Sequence, residues 1–200
     1  PVWGLDENAR PTKVIGKFID NQEERNALDK LAVQAQRDDL TGLFARNHAC
    51  EEIKRHLLAL DKKKAALLVL DLDTFKKIND SYGHLYGDKM LKAVAARLKS
   101  SVRNSDIVAR IGGDEFLVYM EYEVDIERLV ERIFHKVSGS YDGFEVSVSI
   151  GVALASGSDV TYEELFLHAD QALYAGKHAG RNQYRFYDDS MQSILLSQPE

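Results

Sequence analysis

The sequence predicts an α+β or α/β layered fold in which helices and hairpins are mixed. From Asp38 onward, segments with helical spacing alternate with apolar segments of strand length. Two glycines and two acids separate the apolar runs within residues 106–119, which indicates a hairpin, and the Asp142-Gly143 turn precedes an alternating strand. A chain of 200 residues, 44% hydrophobic and 29% charged, can bury one good-sized core.

Charge and cysteine content exclude several classes of protein. The formal net charge of −6 argues against a nucleic-acid binder, because phosphate neutralisation needs clustered Lys and Arg, but it permits a small phosphorylated ligand. Cys50 is the only cysteine, which leaves no disulfide framework or thiolate zinc site and favours a cytoplasmic location. No apolar run is long enough to span a bilayer, so we expect any membrane attachment to lie elsewhere in a larger protein.

The N-terminal segment has its own pattern. Residues 1–20 predict strand, turn and strand, and a lone hairpin of this kind is marginal in water, so we expect the end of a domain that begins upstream. Asp20 and Glu23 form a capping-box-like start, and a narrow apolar stripe follows at helical spacing. We predict a linker helix over 21–37, suited to pairing with a copy of itself.

The elements that follow are predicted in chain order. Helical spacing or strand patterning assigns a helix at 46–60, a buried strand at 65–70, helices around 90–98 and 126–134, a half-buried strand at 144–152, a helix opened by a capping box at Thr161 and Glu164, and a strand at 184–187. A polar tail ends the sequence.

Acidic residues stand where two of these strands meet turns. The strand at 65–70 runs into Asp71-Leu72-Asp73, and if it pairs with the hairpin, Asp71 comes close to Asp114 and Glu115. Three converging carboxylates repel one another unless a cation lies between them, and hard oxygen ligands favour Mg²⁺ or Mn²⁺. Simpler interpretations are open: Asp73 as the N-cap of the next helix, which we favour, and Asp114 and Glu115 as a solvated turn.

Polar residues after the strand suit a nucleotide. Lys76 and the N-terminus of its helix favour anions such as phosphate. Asn79 and Asp88 offer an amide and a carboxylate, which could pair with the edge of guanine. Taken alone, an asparagine at 79 is more often a helix C-cap, and an aspartate at 88 is more often the N-cap of a helix at 89.

Long motifs then identify a family. The stretches DDLTGLFAR, LLVLDLDTFKKINDSYGHLYGDKML, RIGGDEF, SVSIGVA and HADQALYAGKHAGRNQ occur in this order from Asp38 to Tyr187. They resemble the GGDEF domain of bacterial diguanylate cyclases. Departures are small: Ala45 stands where many members have Asn, and Gly176 where Ala is usual.

This resemblance implies a fold and a reaction. The fold would be like that of nucleotidyl cyclases and polymerase palm domains, a mainly antiparallel five-stranded sheet surrounded by helices. The reaction would condense two GTP molecules into cyclic di-GMP and two pyrophosphates, with two Mg²⁺ or Mn²⁺ ions per half-site and two subunits facing each other in a homodimer.

The resemblance also implies roles for particular residues. Asp71, Asp114 and the Leu72 carbonyl would bind metal, Glu115 would contact the second metal, and Asp114 is the candidate general base. Phosphate would be contacted by Lys76, Lys177 and Arg181. Asn79 and Asp88 would bind the edge of guanine. His84 would lie in the same pocket, with a structural role as the alternative. Gly112 and Gly113 would let the backbone approach the nucleotide.

A second site lies just upstream. Arg103 and Asp106 form an R-x-x-D motif that resembles the inhibitory product site of the family, where the arginine would stack on guanine. A surface ion pair is the simpler alternative. The main competing function is a catalytically silent domain that binds cyclic di-GMP or GTP as a regulatory module.

The predicted organisation has four parts. Residues 1–20 resemble the C-terminal end of a PAS sensory domain, 21–37 form the linker helix, 38–188 are the catalytic domain, and 189–200 are a tail. In this arrangement the linker helix would carry the state of the sensor into the relative placement of two cyclase domains.

Overall fold

The structure is a computed structural model that describes residues 2–5, 11–15 and 36–191, the last range with gaps at 124, 142 and 158. The chain divides into two compact units, residues 1–34 and 35–200. In the first unit, β1 (Val2–Leu5) pairs antiparallel with β2 (Pro11–Ile15), as the strand, turn, strand pattern predicted. The linker helix predicted over 21–37 lies outside the described residues except for 36 and 37, which are not helical.

The second unit alternates strands and helices. Its helices are α1 (Arg46–Leu58), α2 (Phe75–Tyr82), α3 (His84–Ser101), α4 (Ile126–Val137) and α5 (Tyr162–His178), with a 3₁₀ helix at Asp189–Met191. Its strands are β3 (Phe44–Ala45), β4 (Lys64–Leu72), β5 (Ile107–Arg110), β6 (Glu115–Tyr122), β7 (Gly139–Tyr141), β8 (Phe144–Val146), β9 (Val148–Ser156) and β10 (Tyr184–Phe186). No helix among the described residues is long and apolar enough to cross a membrane.

One six-stranded sheet organises this unit, in the order β10-β9-β4-β6-β5-β3. The four inner strands are antiparallel, and the short strands β10 and β3 pair parallel with β9 and β5 at the edges. The predicted α+β fold with a mainly antiparallel sheet surrounded by helices is therefore confirmed. The sheet has six strands instead of five because β3, only two residues long, adds to β5.

Both faces of the sheet are covered by helices. Alternate residues of β4, among them Leu68 and Leu70, pack with α3 and α4 on one face. The residues between them, among them Leu67 and Val69, pack with α1 and α5 on the other face. Residues 65–70 of β4 are all buried, because a central strand with two covered faces needs apolar side chains at every position.

The alternating segment at 144–152 differs from its prediction as a single half-buried strand. It is two strands, β8 paired with β7 and β9 in the main sheet, with Ser147 between them. Residues 148–153 are buried without alternation, because β9 lies between β4 and β10 and is covered on both faces. Periodicity alone cannot detect this arrangement, since it depends on elements distant in sequence.

Gly151 allows α5 to approach β9 closely. An alanine Cβ at this position would lie 1.9 Å from the backbone oxygen of Ala169 and 2.3 Å from the backbone nitrogen of Leu173. Backbone atoms of a packed helix cannot rotate away as a side chain can, so the helix itself would have to shift.

We therefore expect Gly151→Ala to lower the free energy of unfolding by about 1–3 kcal/mol, measured by urea denaturation. The matched control is Gly176→Ala, because a Cβ there would meet only side-chain carbons of Gln183 and Arg185, at 3.6 and 3.8 Å. This control should be neutral or stabilising by up to about 1 kcal/mol, as expected for alanine in a helix. Equal effects of the two substitutions would contradict the close-approach explanation.

Candidate nucleotide and metal site

Strand register brings the predicted acids together. In the β4–β6 pair, Asp71 lies directly opposite Glu115, and the Leu72 backbone N–H donates to the Asp114 carbonyl at 3.3 Å. Asp71, Asp114 and Glu115 therefore share one end of the sheet, as expected if this strand pairs with the hairpin. The backbone positions follow from the register of β4 and β6, two central strands whose closely packed side chains hold it in place.

Lys177 supplies a positive charge to this cluster. Its Nζ atom lies 2.7 Å from Asp71 Oδ2. Burial raises the pKa of Asp71 above its usual range, Lys177 opposes this shift, and the charges of Asp114 and Glu115 add to it. The acids thus interact electrostatically, although no group of three or more His, Cys, Asp or Glu among the described residues is already arranged to hold a metal ion.

Asp73 is not the helix cap that we favoured from the sequence. The N-cap of α2 is Thr74, which makes no side-chain capping bond. The buried Asp73 carboxylate instead accepts hydrogen bonds from the Ser147 and Ser149 hydroxyls at 2.9 and 2.7 Å and from the Asn182 backbone N–H at 2.9 Å. Its partners are 74 to 109 residues away in the chain, so local sequence could not reveal them.

The turn that Asp73 holds carries a predicted phosphate-binding residue. Arg181 and Asn182 both have left-handed backbone conformations, with φ of 62° and 48°. Such conformations are unfavourable for residues other than glycine unless neighbouring contacts maintain them. The Asp73 bond to Asn182 therefore connects the end of β4, where Asp71 lies, to the turn that presents the exposed Arg181.

The turn at residues 111–114, here called the double-glycine turn, is held by Arg110. The Arg110 guanidinium donates to the Gly113 carbonyl through Nε at 3.0 Å and Nη2 at 2.7 Å, and its Nη1 contacts both Asp38 carboxylate oxygens at 3.2 and 3.1 Å. An alanine Cβ at Gly112 would lie 2.8 Å from Glu115 Oε2, whereas one at Gly113 would meet nothing within 4 Å. Sequence analysis missed this clamp, since Asp38 and Arg110 are 72 residues apart.

The predicted guanine readers lie inside helices. Asn79 is within α2, which ends at Tyr82 with Gly83 as its C-cap, and Asp88 is within α3, which begins at His84. The capping alternatives for Asn79 and Asp88 are therefore wrong. Lys76 on α2 and His84 are exposed, Asp88 is half-buried, and the Oδ1 atom of Asn79 is buried without a hydrogen-bond partner among the described residues.

The R-x-x-D residues form a tight turn beside a cavity. The Arg103 backbone N–H donates to Asp106 Oδ2 at 2.7 Å, and the Asp106 N–H donates to the Arg103 carbonyl at 3.1 Å. No ion pair joins the two side chains in the described part of the chain, so the surface ion-pair alternative is not supported. Burial raises the pKa of Asp106, an effect that the Arg103 N–H and the charges of Arg103 and Arg132 oppose.

This cavity has a volume of about 460 Å³. Besides Arg103 and Asp106, its lining includes His56, Lys63 and Glu121. Glu121 accepts from Lys63 at 2.8 Å and lies 3.2 Å from His56 Nδ1. These three residues come from α1, β6 and the segment between α1 and β4, so no local motif indicates them.

Comparison with known proteins agrees with this arrangement. The family described as "Diguanylate cyclase, GGDEF domain" matches residues 35–183. The chain belongs to this family. The GGDEF domain here is 40% identical over 161 residues to the diguanylate cyclase DgcS of Shewanella oneidensis, covering 78% of this chain and 54% of DgcS.

Other relatives carry different names. The chain is 36% identical over 186 residues to the cyclic di-GMP phosphodiesterase PdeR of Escherichia coli, covering 88% of this chain but 28% of PdeR. Among solved structures, the coiled coil and GGDEF domain of DgcB from Caulobacter crescentus in complex with c-di-GMP matches with a TM-score of 0.74 and 28% identity, covering 82% of this chain and 92% of that one. The chain thus spans about half or less of these two curated relatives.

The contact between Asp38 and Arg110 generates a pH-dependent prediction. Burial disfavours ionised Asp38, but hydrogen bonds from Thr41 and the Arg110 guanidinium outweigh burial and hold the pKa of this carboxyl below its usual value of 3.8. A lowered folded-state pKa stabilises the fold above the unfolded-state pKa, and this stabilisation is lost as pH falls through the folded-state value.

We expect Asp38→Asn to lower the free energy of unfolding by about 1–2 kcal/mol at pH 7, with the difference shrinking as pH falls below about 4. Urea denaturation at several pH values would measure this. Asp39→Asn is the control, because Asp39 is an exposed neighbour of the same residue type. A loss that does not change with pH would contradict the role of the Asp38 charge.

Proposed function

We propose that this chain is a diguanylate cyclase that condenses two GTP molecules into cyclic di-GMP and two pyrophosphates. The observation that carries the proposal is the convergence of Asp71, Asp114 and Glu115 at one end of the sheet, with Lys177 at 2.7 Å from Asp71. These acids and cations all lie within residues 35–183, the range that the family matches. A purely structural role as a dimerisation element would not explain why these acids are clustered.

In the proposed reaction, each GGDEF domain holds one GTP and faces a second copy. The ribose 3′-oxygen of one GTP forms a bond to the α-phosphorus of the other, the bond to pyrophosphate breaks, and the hydroxyl proton leaves, with Asp114 as the candidate acceptor. Repeating the step in the opposite direction closes the ring, which is why a homodimer is required. Because both GTP molecules are held, the two subunits act mainly by positioning.

Several residues have proposed roles in binding. Lys76, Lys177 and Arg181 would neutralise the triphosphate as charge develops on the leaving group. Asn79 and Asp88 would read the guanine edge, with His84 in the same pocket. The double-glycine turn, held by Arg110, would lie beside the nucleotide, and Gly112 and Gly113 leave room for the backbone to approach it.

The site fits a hard divalent cation. Its donor atoms would be carboxylate oxygens of Asp71, Asp114 and Glu115 and the Leu72 carbonyl, all oxygen ligands of the kind that Mg²⁺ or Mn²⁺ prefers. The mutual repulsion that helps to raise the pKa of Asp71 is also what a cation relieves. When bound, two such ions per half-site would lower the pKa of the attacking hydroxyl and neutralise phosphate charge.

Regulation is proposed at two further places. Arg103 and Asp106, beside the 460 Å³ cavity, would bind cyclic di-GMP and inhibit the enzyme. Residues 1–20 would be the end of a PAS-like domain, 21–37 a signalling helix and 38–188 the catalytic domain of a larger cytoplasmic or membrane-attached protein. Changes in the sensor would then alter how two catalytic domains face each other.

A catalytically silent binding module is the second candidate function. The cavity beside Arg103 and Asp106 favours it, because that site could bind cyclic di-GMP without turnover. The resemblance to PdeR, whose name denotes a phosphodiesterase, also shows that GGDEF domains occur in proteins with other named activities. The intact acids at positions 71, 114 and 115 favour the cyclase.

Chromatographic detection of cyclic di-GMP after incubation with GTP and Mg²⁺ tests the proposal. We expect product from the unsubstituted protein and at least about a hundredfold less from Asp114→Asn, because this change removes a charge at the reacting centre. Asp125→Asn is the matched control: Asp125 caps α4 by accepting from the Glu127 N–H at 3.0 Å, and an asparagine can keep that bond.

The same samples separate the two candidate functions. A chelator should abolish product formation by the unsubstituted protein. No product at high protein concentration, combined with binding of cyclic di-GMP that Arg103→Ala removes, would reject the cyclase and support the silent module. Equal activity of Asp114→Asn and the unsubstituted protein would reject the role proposed for Asp114.

A further inference from the structure

Gly87 occupies a helical position where glycine needs an explanation. It is buried at the fourth position of α3, next to Asp88, and its backbone is not in the left-handed region that favours glycine. Glycine is the least favourable residue in a helix interior apart from proline. Local backbone geometry therefore gives no reason for glycine here, and the reason must lie in what surrounds it.

The Asn79 side chain fills the space that a residue at 87 would need. An alanine Cβ at Gly87 would lie 2.0 Å from Asn79 Oδ1, 3.0 Å from Asn79 Cγ and 3.0 Å from Phe75 Cζ. The first distance is far inside van der Waals contact, so the Asn79 amide and a side chain at 87 exclude each other. The two helices α2 and α3 are in direct contact at this point.

The Asn79 amide is also incompletely paired. Its Oδ1 atom is buried and has no hydrogen-bond partner within the described residues. A buried acceptor without a partner is unfavourable, and such groups in native proteins usually have a functional reason. The amide is thus held in place by packing, with its oxygen against Gly87, while Asn79 as a whole is only half-buried and leaves another part of the side chain open to a ligand.

We infer that Gly87 is a positioning residue for base recognition, because it leaves the space in which the Asn79 amide is held. This inference rests on the proposed binding of GTP. Any side chain at 87 displaces the amide from its place beside α3, and the base contact that depends on Asn79 is lost although Asn79 itself is unchanged.

Nucleotide titration calorimetry tests this assignment without turnover. The ligands are guanosine and inosine triphosphates in which a methylene group replaces the oxygen between the α- and β-phosphorus atoms. Condensation would break the bond between that oxygen and the α-phosphorus, so these analogues bind without reacting. We expect Gly87→Ala to weaken guanosine-nucleotide binding about tenfold, the loss expected for one hydrogen bond. The ratio of guanosine-nucleotide to inosine-nucleotide affinity should be the same in Gly87→Ala as in Asn79→Ala.

The double variant Gly87→Ala with Asn79→Ala separates positioning from general damage. Once the amide is removed, the contacts at 2.0 and 3.0 Å with Asn79 no longer exist, so the double variant should bind no more weakly than Asn79→Ala alone. Its melting temperature should be at least that of Asn79→Ala. Gly176 is another buried helical glycine, where a Cβ would make only ordinary van der Waals contacts, so Gly176→Ala should bind nucleotide like the unsubstituted protein.

Three results would overturn the assignment. Unchanged binding by Gly87→Ala would show that Asn79 does not depend on the glycine. If the fold-losses in affinity of the two single variants multiply in the double variant, Gly87→Ala acts through Phe75 or the backbone and not through Asn79. If the unsubstituted protein binds neither nucleotide, the proposed GTP-binding function fails and this inference fails with it. If the unsubstituted protein binds the guanosine nucleotide and either of the first two results is found, only the inference is rejected.

Discussion

Convergence of like charges at one end of the sheet is the constraint on which the rest of the site depends. Asp71 and Glu115 are directly opposed in the β4–β6 register, and Asp114 precedes β6. Both strands are buried on two faces, and the close packing of their side chains holds that register. The hydrophobic core therefore holds together acids that would otherwise separate, and Lys177 forms an ion pair with one of them, Asp71.

A second set of polar contacts ties the surrounding turns to this end of the sheet. Asp73 connects β4 to β9 and to the left-handed turn at Arg181. Arg110 connects the double-glycine turn to Asp38. These buried or half-buried charges have several hydrogen-bond partners each, which is the condition under which a charge is tolerated away from water.

The short strand β5 joins two parts of the molecule with different proposed roles. It covers only Ile107–Arg110, so the R-x-x-D turn ends immediately before it and the double-glycine turn begins immediately after it. At its end, Arg110 holds the Gly113 carbonyl. The proposed product site and the proposed catalytic turn are thus connected through one short strand, which also packs against α1.

The sequence by itself determined the fold class, most helices and strands, and the placement of Asp71, Asp114 and Glu115 where strands meet turns. These follow from hydrophobic periodicity and from acids at strand ends, which are local signals. Only the tertiary structure decided that Asp73 binds residues of β9 and the turn at 182, that residues 144–152 form two strands, and that Asp38 pairs with Arg110. Each of these depends on partners tens of residues away, whose proximity arises from packing of the whole sheet and is not encoded in any local pattern.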